Sequence, residues 1–378
     1  MVQPFLSLYI DTLGNYSESQ IQTWSGLIFS ITFVTAFIFS PVWGKIGDRF
    51  GRKPILVAFA FGLSLSLFLM GYVTSIFQLF ILRMFMGVFT GFVSMSQALI
   101  STQTSKRVAG QVLGTLQTGS IVGTLLGPLL GGFLADMFGY SATFIWLSLI
   151  LMITSFLVSF GIKEFTINEE QQKLNYTSKQ VLIHILKHPM LLIVMLMSMF
   201  VQIANFSIQP ILSLFVGELN GVGHIAFFSG LAFSVTGLGN LLMARRWGQL
   251  GDRLGYIKIL TILLFASAIV YFPGGFVTEL WQLILLRFFL GLVFGGIIPL
   301  RIAYIRQEAP LSMQGEVLGY NTSLRFFGNM IGPILGGFIS AQFGYSAVFI
   351  STSLLLLLSG ALMVITKRRH PKLASNHH

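Results

Sequence analysis

Long apolar segments recur along the whole chain, and they constrain the fold more than any other feature. Each is long enough for a helix to cross the hydrocarbon core of a bilayer. Backbone polar groups find no water there, so a spanning segment is a helix or part of a closed barrel. Because the apolar residues run continuously and do not alternate with polar ones, we predict helices. The predicted spans are 22–42, 54–74, 77–101, 110–135, 140–162, 190–217, 225–246, 257–275, 279–304, 315–340 and 343–366.

The composition and the placement of charges agree with a multi-pass membrane protein. Charged residues make up 9% of the chain, against about 25% in an ordinary soluble domain. Lys and Arg outside the spans occur only in alternate loops, and the other loops carry acidic residues such as Asp136 and Glu279. Basic loops stay in the cytoplasm, so we predict a cytoplasmic central loop and C-terminus. The net charge of +11 therefore reflects topology, and no nucleic-acid partner is expected.

Several short motifs occur twice, at offsets of 204 or 205 residues. WGKIGDRFG at 43–51 returns as WGQLGDRLG at 247–255, and LRMFMG at 82–87 returns as LRFFLG at 286–291. FGYSA at 138–142 returns unchanged 205 residues later. Matched halves are typical of transporters whose substrate site lies between the halves. We therefore predict an all-α fold of two six-helix bundles.

The repeat also sets the expected domain boundaries. QPILSLF at 209–215 matches QPFLSLY at 3–9, but about 19 apolar residues precede the first and only two precede the second. We therefore expect twelve helices in the natural protein, with the first helix truncated in this chain. The predicted domains are an N-terminal bundle at 1–162, a cytoplasmic linker at 163–187, a C-terminal bundle at 188–368 and a cytoplasmic tail at 369–378.

A ladder of glycines appears once in each half, as GTLQTGSIVGTLLGPLLGG and as GYNTSLRFFGNMIGPILGG. Glycines four residues apart share one helix face and let a neighbouring backbone approach closely. The proline removes a backbone donor and kinks the helix. Tight packing alone is one explanation, and a bendable helix that seals the transport path is the other. The ladder residues are Gly114, Gly123, Gly127, Pro128, Gly131, Gly132, Gly319, Gly328, Gly332, Pro333, Gly336 and Gly337.

The ladder resembles the fifth-helix motif of drug:proton antiporters of the major facilitator superfamily. GKIGDRFGRKP at 44–54 resembles the superfamily's loop between helices two and three, and RMFMGVFTG at 83–91 resembles its fourth-helix motif. The resemblance covers the chain except for the first helix and points to bacterial multidrug exporters of the twelve-helix branch. It implies the major facilitator fold, alternating access, and export of small amphiphilic substrates in exchange for protons.

The resemblance further implies that the loop at 44–54 latches the cytoplasmic side in the outward-facing state. A carboxylate at Asp48 suits a helix N-terminus, whose dipole favours an anion. The second copy has Tyr256 where Arg52 stands, so we expect a weaker latch there. Topology signalling explains the basic residues but not Asp48. The gating-loop residues are Gly44, Asp48, Arg49, Gly51, Arg52, Gly248, Asp252 and Arg253.

Charged side chains inside spans are candidates for function, because a charge at the bilayer centre costs roughly 2.5–3.5 kcal/mol. Arg83 and Arg287 occupy matched positions, and the resemblance links the fourth-helix arginine to proton transfer. Arg325 lies near mid-depth where the first half has Ser120, and it either lines the substrate path or binds carbonyls. Arg301 lies near a span end, where it can snorkel. The substrate-binding candidates are Gln97, Gln202, Asn205, Asn321 and Arg325.

No Asp or Glu lies at mid-depth in any predicted span. The proton-carrying group is therefore expected in the truncated first helix; otherwise coupling is indirect or absent. The same pattern favours neutral, zwitterionic or anionic substrates over cations.

The chain has no cysteine and no His/carboxylate cluster with metal-ligand spacing. We predict no cofactor, no metal and no enzymatic activity, but a monomeric secondary transporter of the bacterial cytoplasmic membrane. The alternatives are a major facilitator for one metabolite, such as a sugar or organic anion, and a non-functional N-terminally truncated fragment.

Overall fold

The computed structural model describes residues 1–103, 109–162, 178–221, 223–310 and 313–369, and every regular element in these ranges is a helix. A 3-10 helix at Phe272–Phe276 follows α12. The α-helices are α1 (Gln3–Asp11), α2 (Glu18–Phe50), α3 (Arg52–Met70), α4 (Ile76–Val88), α5 (Phe92–Gln103), α6 (Ala109–Phe138), α7 (Tyr140–Gly161), α8 (Ser178–Lys187), α9 (Pro189–Ile208), α10 (Leu212–Asn220), α11 (Ile225–Leu254), α12 (Tyr256–Tyr271), α13 (Leu280–Glu308) and α14 (Gln314–Arg369).

Ten helical segments in the described part of the chain are long and apolar enough to cross a membrane. The last of them, α14, is interrupted at Gly344, where φ is 80° and ψ is 172°. It therefore supplies two spans, and each of the eleven predicted apolar segments is mostly helical.

Two predicted spans are broken in the structure. Three residues between Val88 and Phe92 separate α4 from α5, and three residues between Ile208 and Leu212 separate α9 from α10. Pro210 explains the second break, because proline lacks the N–H that would continue the helix. The expectation of one continuous helix was wrong at both places.

Hydrogen bonds from local side chains fix the starts of two helices in the first half, α2 and α4. At α2, Ser17 Oγ accepts from the backbone N–H of Gln20 at 3.3 Å, and Gln20 Oε1 accepts from the N–H of Ser17 at 2.9 Å. At α4, Ser75 Oγ accepts from the N–H of Gln78 at 3.3 Å. These bonds satisfy donors that have no partner inside the helix.

The described residues form two compact units. Unit 1 comprises those within 1–171, 212–217 and 221–234, and unit 2 comprises those within 172–211, 218–220 and 235–378. The predicted linker residues 163–177 and tail residues 370–378 lie outside the described part. In unit 1, α3 packs on α7, α2 on α4, and α1 on α2 and α6. In unit 2, α9 packs on α14, and α12 on α13 and α14.

The two units use the same hydrogen bond with donor and acceptor exchanged. In unit 1, Ser64 Oγ donates to the carbonyl oxygen of Ser148 at 2.7 Å. In unit 2, Ser353 Oγ donates to the carbonyl oxygen of Ala268 at 2.7 Å. Ala268 and Ser353 stand 204 and 205 residues after Ser64 and Ser148. The sequence repeat is therefore also a repeat of helix packing.

Candidate functional site

The predicted gating loop is a one-residue joint between two helices, and it occurs twice. Gly51 joins α2 to α3 with φ 93°, and Gly255 joins α11 to α12 with φ 89°. Residues with a Cβ rarely adopt this conformation. The repeated motif therefore ends on glycine because the chain must turn there within one residue.

The charged residues of the two loops lie at these joints. Arg49 is exposed, with its guanidinium carbon 5.2 Å from the ring centroid of Phe50. Arg253 is exposed as well, and Arg52 is half-buried. Gly44 and Gly248 have no atom within 4 Å of an added Cβ. The side chain of Asp48 lies outside the described part of the structure.

The second loop contains a hydrogen bond of its own. The hydroxyl of Tyr256 donates to Oδ1 of Asp252 at 2.7 Å. Asp252 is thus engaged by the residue that replaces Arg52 in the repeat.

A tryptophan beside each loop was missed by the sequence reasoning. Trp43 Nε1 donates to the carbonyl oxygen of Val88, and Trp247 Nε1 donates to that of Leu292, both at 2.7 Å. The signal was present, since both repeated motifs begin with Trp-Gly. Only the structure identifies the acceptors.

The second glycine ladder packs directly on backbone. A Cβ added to Gly328 would lie 2.6 Å from the carbonyl oxygen of Met199, and one on Gly332 would lie 2.8 Å from that of Ile203. A Cβ added to Gly336 would lie closer still to the carbonyl oxygen of Ser207. Both series step by four, so α14 and α9 meet along one face of each helix. Pro333 and Gly337 are also buried in α14.

The opposite face of the second ladder is different. Gly319 is exposed, and a Cβ added there would meet nothing within 4 Å. Its place nine residues before Gly328 puts it on the far side of the helix.

The first ladder lies in α6, where Gly114 and Gly123 precede Pro128. A Cβ on Gly132 would collide with the carbonyl oxygen of Ala226 in unit 1. A Cβ on Gly127 would lie 3.4 Å from Cγ of Met1, and Gly131 meets the Met1 backbone. The C-terminal end of this ladder therefore makes close backbone contacts. A Cβ added to Gly123 would have nothing within 4 Å.

A carboxylate just beyond the first ladder caps a neighbouring helix. The backbone N–H of Ala226 donates to Oδ1 of Asp136 at 3.2 Å, and that of Phe227 donates to Oδ2 at 2.8 Å. Both N–H groups belong to the first turn of α11, whose dipole favours an anion.

The two matched arginines are buried. Arg83 is 7% exposed, and its guanidinium carbon lies 6.0 Å from the ring centroid of Phe29. Arg287 is 4% exposed. Nε and Nη2 of Arg83 have no hydrogen-bond partner among the described residues.

The substrate-binding candidates fall in different surroundings. Gln202 Nε2 donates to Oδ1 of Asn329 at 2.9 Å in the interior of unit 2. Asn205 is half-buried and Gln97 is exposed. Asn321 is 2% exposed, and Arg325 follows it by one helical turn. Two pairs among the five lie one turn apart on one helix: Gln202 and Asn205 on α9, and Asn321 and Arg325 on α14.

Unit 1 contains a cavity of about 750 Å³ between α5 and α6. Its walls are largely apolar, formed by Phe92, Val93, Ser96, Ile100, Val112, Thr115, Leu116, Gly119 and Ser120. The described residues include no group of three or more His, Cys, Asp or Glu placed to hold a metal ion.

Known proteins share this architecture and much of the sequence. The Major Facilitator Superfamily model matches residues 1–246 and 194–378. The chain is 50% identical over 369 residues to the uncharacterized MFS-type transporter YuxJ of Bacillus subtilis (strain 168), covering 97% of this chain and 94% of that protein. It is 40% identical over 365 residues to multidrug resistance protein MdtG of Escherichia fergusonii, covering 94% and 88%.

A solved structure has the same fold. The bacterial homologue of the human lysosomal transporter Spinster, in its inward-facing and occupied conformation, superposes with a TM-score of 0.81 at 12% identity. The match covers 100% of this chain and 94% of that one. The predicted all-α membrane fold is therefore confirmed, and the chain belongs to the major facilitator superfamily of transporters.

Proposed function

We propose that this protein exports drug-like amphiphilic compounds across the cytoplasmic membrane. The observation that carries the proposal is the 40% identity to a multidrug resistance protein, which extends over 94% of the chain. The two glycine ladders support the same substrate class, since they resemble the motif of drug:proton antiporters.

Transport proceeds by alternating access, with the ladder helices bending at their prolines. Pro128 and Pro333 lie inside α6 and α14, and each removes one backbone hydrogen bond. In unit 2, Gly328, Gly332 and Gly336 hold α14 against the carbonyl oxygens of α9. The face that these glycines form stays sealed while the helix bends at the proline.

The two gating loops latch the cytoplasmic side, on which the central loop and the C-terminus also lie. Asp48 accepts hydrogen bonds from a helix N-terminus in this assignment. Asp252 is the weaker latch, because Tyr256 already donates to it at 2.7 Å.

The proton is the coupling ion, and Arg83 and Arg287 are the residues through which it acts. Both are buried at matched positions of the repeat. Every Asp and Glu in the sequence lies away from the middle of the spans. Coupling is therefore indirect in this proposal: a proton that binds elsewhere changes the charge that a buried guanidinium faces. The protein acts as a monomer.

The test is drug accumulation in a bacterial host that lacks its own exporters. Cells that make the protein should accumulate less dye or drug than cells with the empty vector, and a protonophore should abolish the difference. The Arg83→Gln and Arg287→Gln variants should lose export, whereas Arg306→Gln, at an exposed residue, should keep it. Accumulation equal to that of the empty vector would contradict export. Export that survives the protonophore would contradict proton coupling but would leave the export itself supported.

A further inference from the structure

Two arginines lie on neighbouring helices inside unit 2. Arg301 on α13 is 1% exposed, so its guanidinium lies within the protein and does not snorkel to the surface. Arg325 on α14 is half-buried. The two helices contact each other. Buried charges of like sign are unfavourable unless an opposite charge joins them.

The positions of the two arginines along their helices place them at similar depths. Arg301 stands seven residues before the end of α13 at Glu308, and Arg325 stands eleven after the start of α14 at Gln314. These two helix ends adjoin along the chain. At 1.5 Å per residue the two Cα atoms lie about 10 Å and about 16 Å from those ends, a difference that a long guanidinium side chain spans.

Two polar side chains accompany the arginines. Tyr304 is one turn from Arg301, and Asn321 is one turn from Arg325, so each lies on the face of its arginine. Within the described residues, no hydrogen-bond partner is found for Nε and Nη2 of Arg301, Nε of Arg325, the hydroxyl of Tyr304 or Oδ1 of Asn321. All of these atoms are buried. The arginine nitrogens and the tyrosine hydroxyl are N–H and O–H donors, and Oδ1 of Asn321 is an acceptor.

The acidic residue nearest to Arg301 along α13 is Glu308, which lies beside His188. Glu308 stands two turns beyond Arg301, and its Oε2 lies 3.2 Å from Nε2 of His188.

The repeat shows that the fold does not require the arginines. Gln97 and Ser120 occupy the matching positions in the first half, and Ile100 and Leu116 match Tyr304 and Asn321. Three of these four counterparts, Ile100, Leu116 and Ser120, line the cavity of unit 1. The place that is a largely apolar cavity in unit 1 therefore corresponds to Arg325, Tyr304 and Asn321 in unit 2. A structural role common to both halves cannot account for them.

We propose that Arg301 and Arg325, with Tyr304 and Asn321, form a binding site for the anionic group of an amphiphilic substrate, either a carboxylate or a phosphate-type group. The planar guanidinium matches such a group with two parallel hydrogen bonds. The apolar part of the substrate packs on the surrounding helices. The assignment specifies the substrate class of the proposed exporter and rests on that proposed function.

The experiment measures equilibrium binding to the purified full chain in phosphatidylcholine nanodiscs, with protein-free discs as the blank. The probe is naphthalene-2-carboxylate, and naphthalene-2-carboxamide is its neutral counterpart of nearly the same shape. The carboxylate should bind at least about tenfold more tightly than the amide, since a charge-assisted bidentate contact exceeds a neutral one by about that factor. Equal affinities of the parent protein for the two probes would overturn the proposal without any variant.

Matched variants then locate the site. Arg301→Gln and Arg325→Gln should each weaken carboxylate binding about tenfold or more and leave amide binding within about twofold. Arg306→Gln, an exposed arginine at the end of the same helix α13, should leave both unchanged. If Arg306→Gln weakens carboxylate binding as much as the other two, the effect is general surface charge and the assignment is wrong.

A lipid headgroup carries the same chemistry as the proposed substrate. Nanodiscs that contain phosphatidylglycerol separate the two sources: undiminished carboxylate binding supports a substrate site, and full competition by the lipid overturns that assignment. The binding result is independent of transport. Carboxylate binding that depends on both arginines, in a protein that exports nothing, would refute the exporter and leave the anion site standing.

Discussion

The indole Nε1 of Trp43 donates a hydrogen bond to the carbonyl oxygen of Val88 at 2.7 Å. The same bond joins Trp247 to Leu292 at 2.7 Å, and both donor and acceptor are shifted by 204 residues. Each tryptophan immediately precedes the first glycine of a gating loop. The bond therefore ties the helix that leads into each loop to the helix beside it.

The two tryptophan bonds should not contribute equally to stability. Val88 ends α4, where carbonyl oxygens have no partner inside the helix. Leu292 lies inside the continuous helix α13, so its carbonyl oxygen also accepts a helical bond. Trp43→Phe leaves a partly buried acceptor unpaired and should cost about 1 kcal/mol, whereas Trp247→Phe should cost less. Thermal unfolding of the purified variants measures the difference, and equal losses would contradict it.

The gating loops should also differ in function. Asp252 accepts a hydrogen bond from Tyr256 within its own loop, and the first loop has Arg52 in place of that tyrosine. Asp252→Asn should therefore reduce export less than Asp48→Asn does, because an amide binds a helix N-terminus less strongly than a carboxylate. Drug accumulation in the exporter-deficient host is the measurement. A loss of the same size in both variants would count against the asymmetry.

The span positions, the repeat and the faces of the ladder could be predicted because they depend on local periodicity. Apolar length predicts a spanning helix, and a step of four residues predicts one face. The breaks after Val88 and Ile208 were missed, because an apolar run has the same composition whether or not one turn is irregular.

Contacts between residues far apart in the chain could not be predicted from the sequence. Gln202 was a substrate candidate on its polarity, but which partner an amide meets depends on how helices pack, and here it is Asn329. Arg301 was expected at the membrane surface from its place near a span end, yet it is buried. Its burial depends on where α14 lies, which periodicity does not specify.

Replacing a ladder glycine of α14 with alanine should destabilise the protein at one position and stabilise it at another. Gly332→Ala places a methyl group 2.8 Å from the carbonyl oxygen of Ile203. It should push α14 from α9, lower the unfolding temperature and reduce export. Gly319→Ala meets nothing within 4 Å and should stabilise the helix by roughly 0.5–1 kcal/mol, because alanine is a better helix former than glycine.

Unfolding temperature and drug accumulation are measured together for the two glycine variants. A Gly332→Ala protein that is stable but inactive supports the bendable, sealing helix. Loss of folded protein with full activity of what remains supports packing alone. A Gly332→Ala variant that behaves like Gly319→Ala in both measurements would contradict the close approach itself.

The cap on α11 provides the last prediction. Both carboxylate oxygens of Asp136 accept N–H groups of the first turn, at 3.2 and 2.8 Å. Losing such a cap costs about 0.5–2 kcal/mol, so Asp136→Ala should lower the unfolding temperature, and Asp136→Asn should lower it less because one acceptor oxygen remains. His224 Nδ1 also lies 3.9 Å from Oδ2 of Asp136, but its side chain is 78% exposed, and exposed ion pairs contribute little. His224→Asn is the matched control, since asparagine tolerates the residue's φ of 51°. It should leave the unfolding temperature unchanged. If His224→Asn destabilises the protein as much as Asp136→Ala does, the carboxylate acts through the imidazole and not through the helix N-terminus.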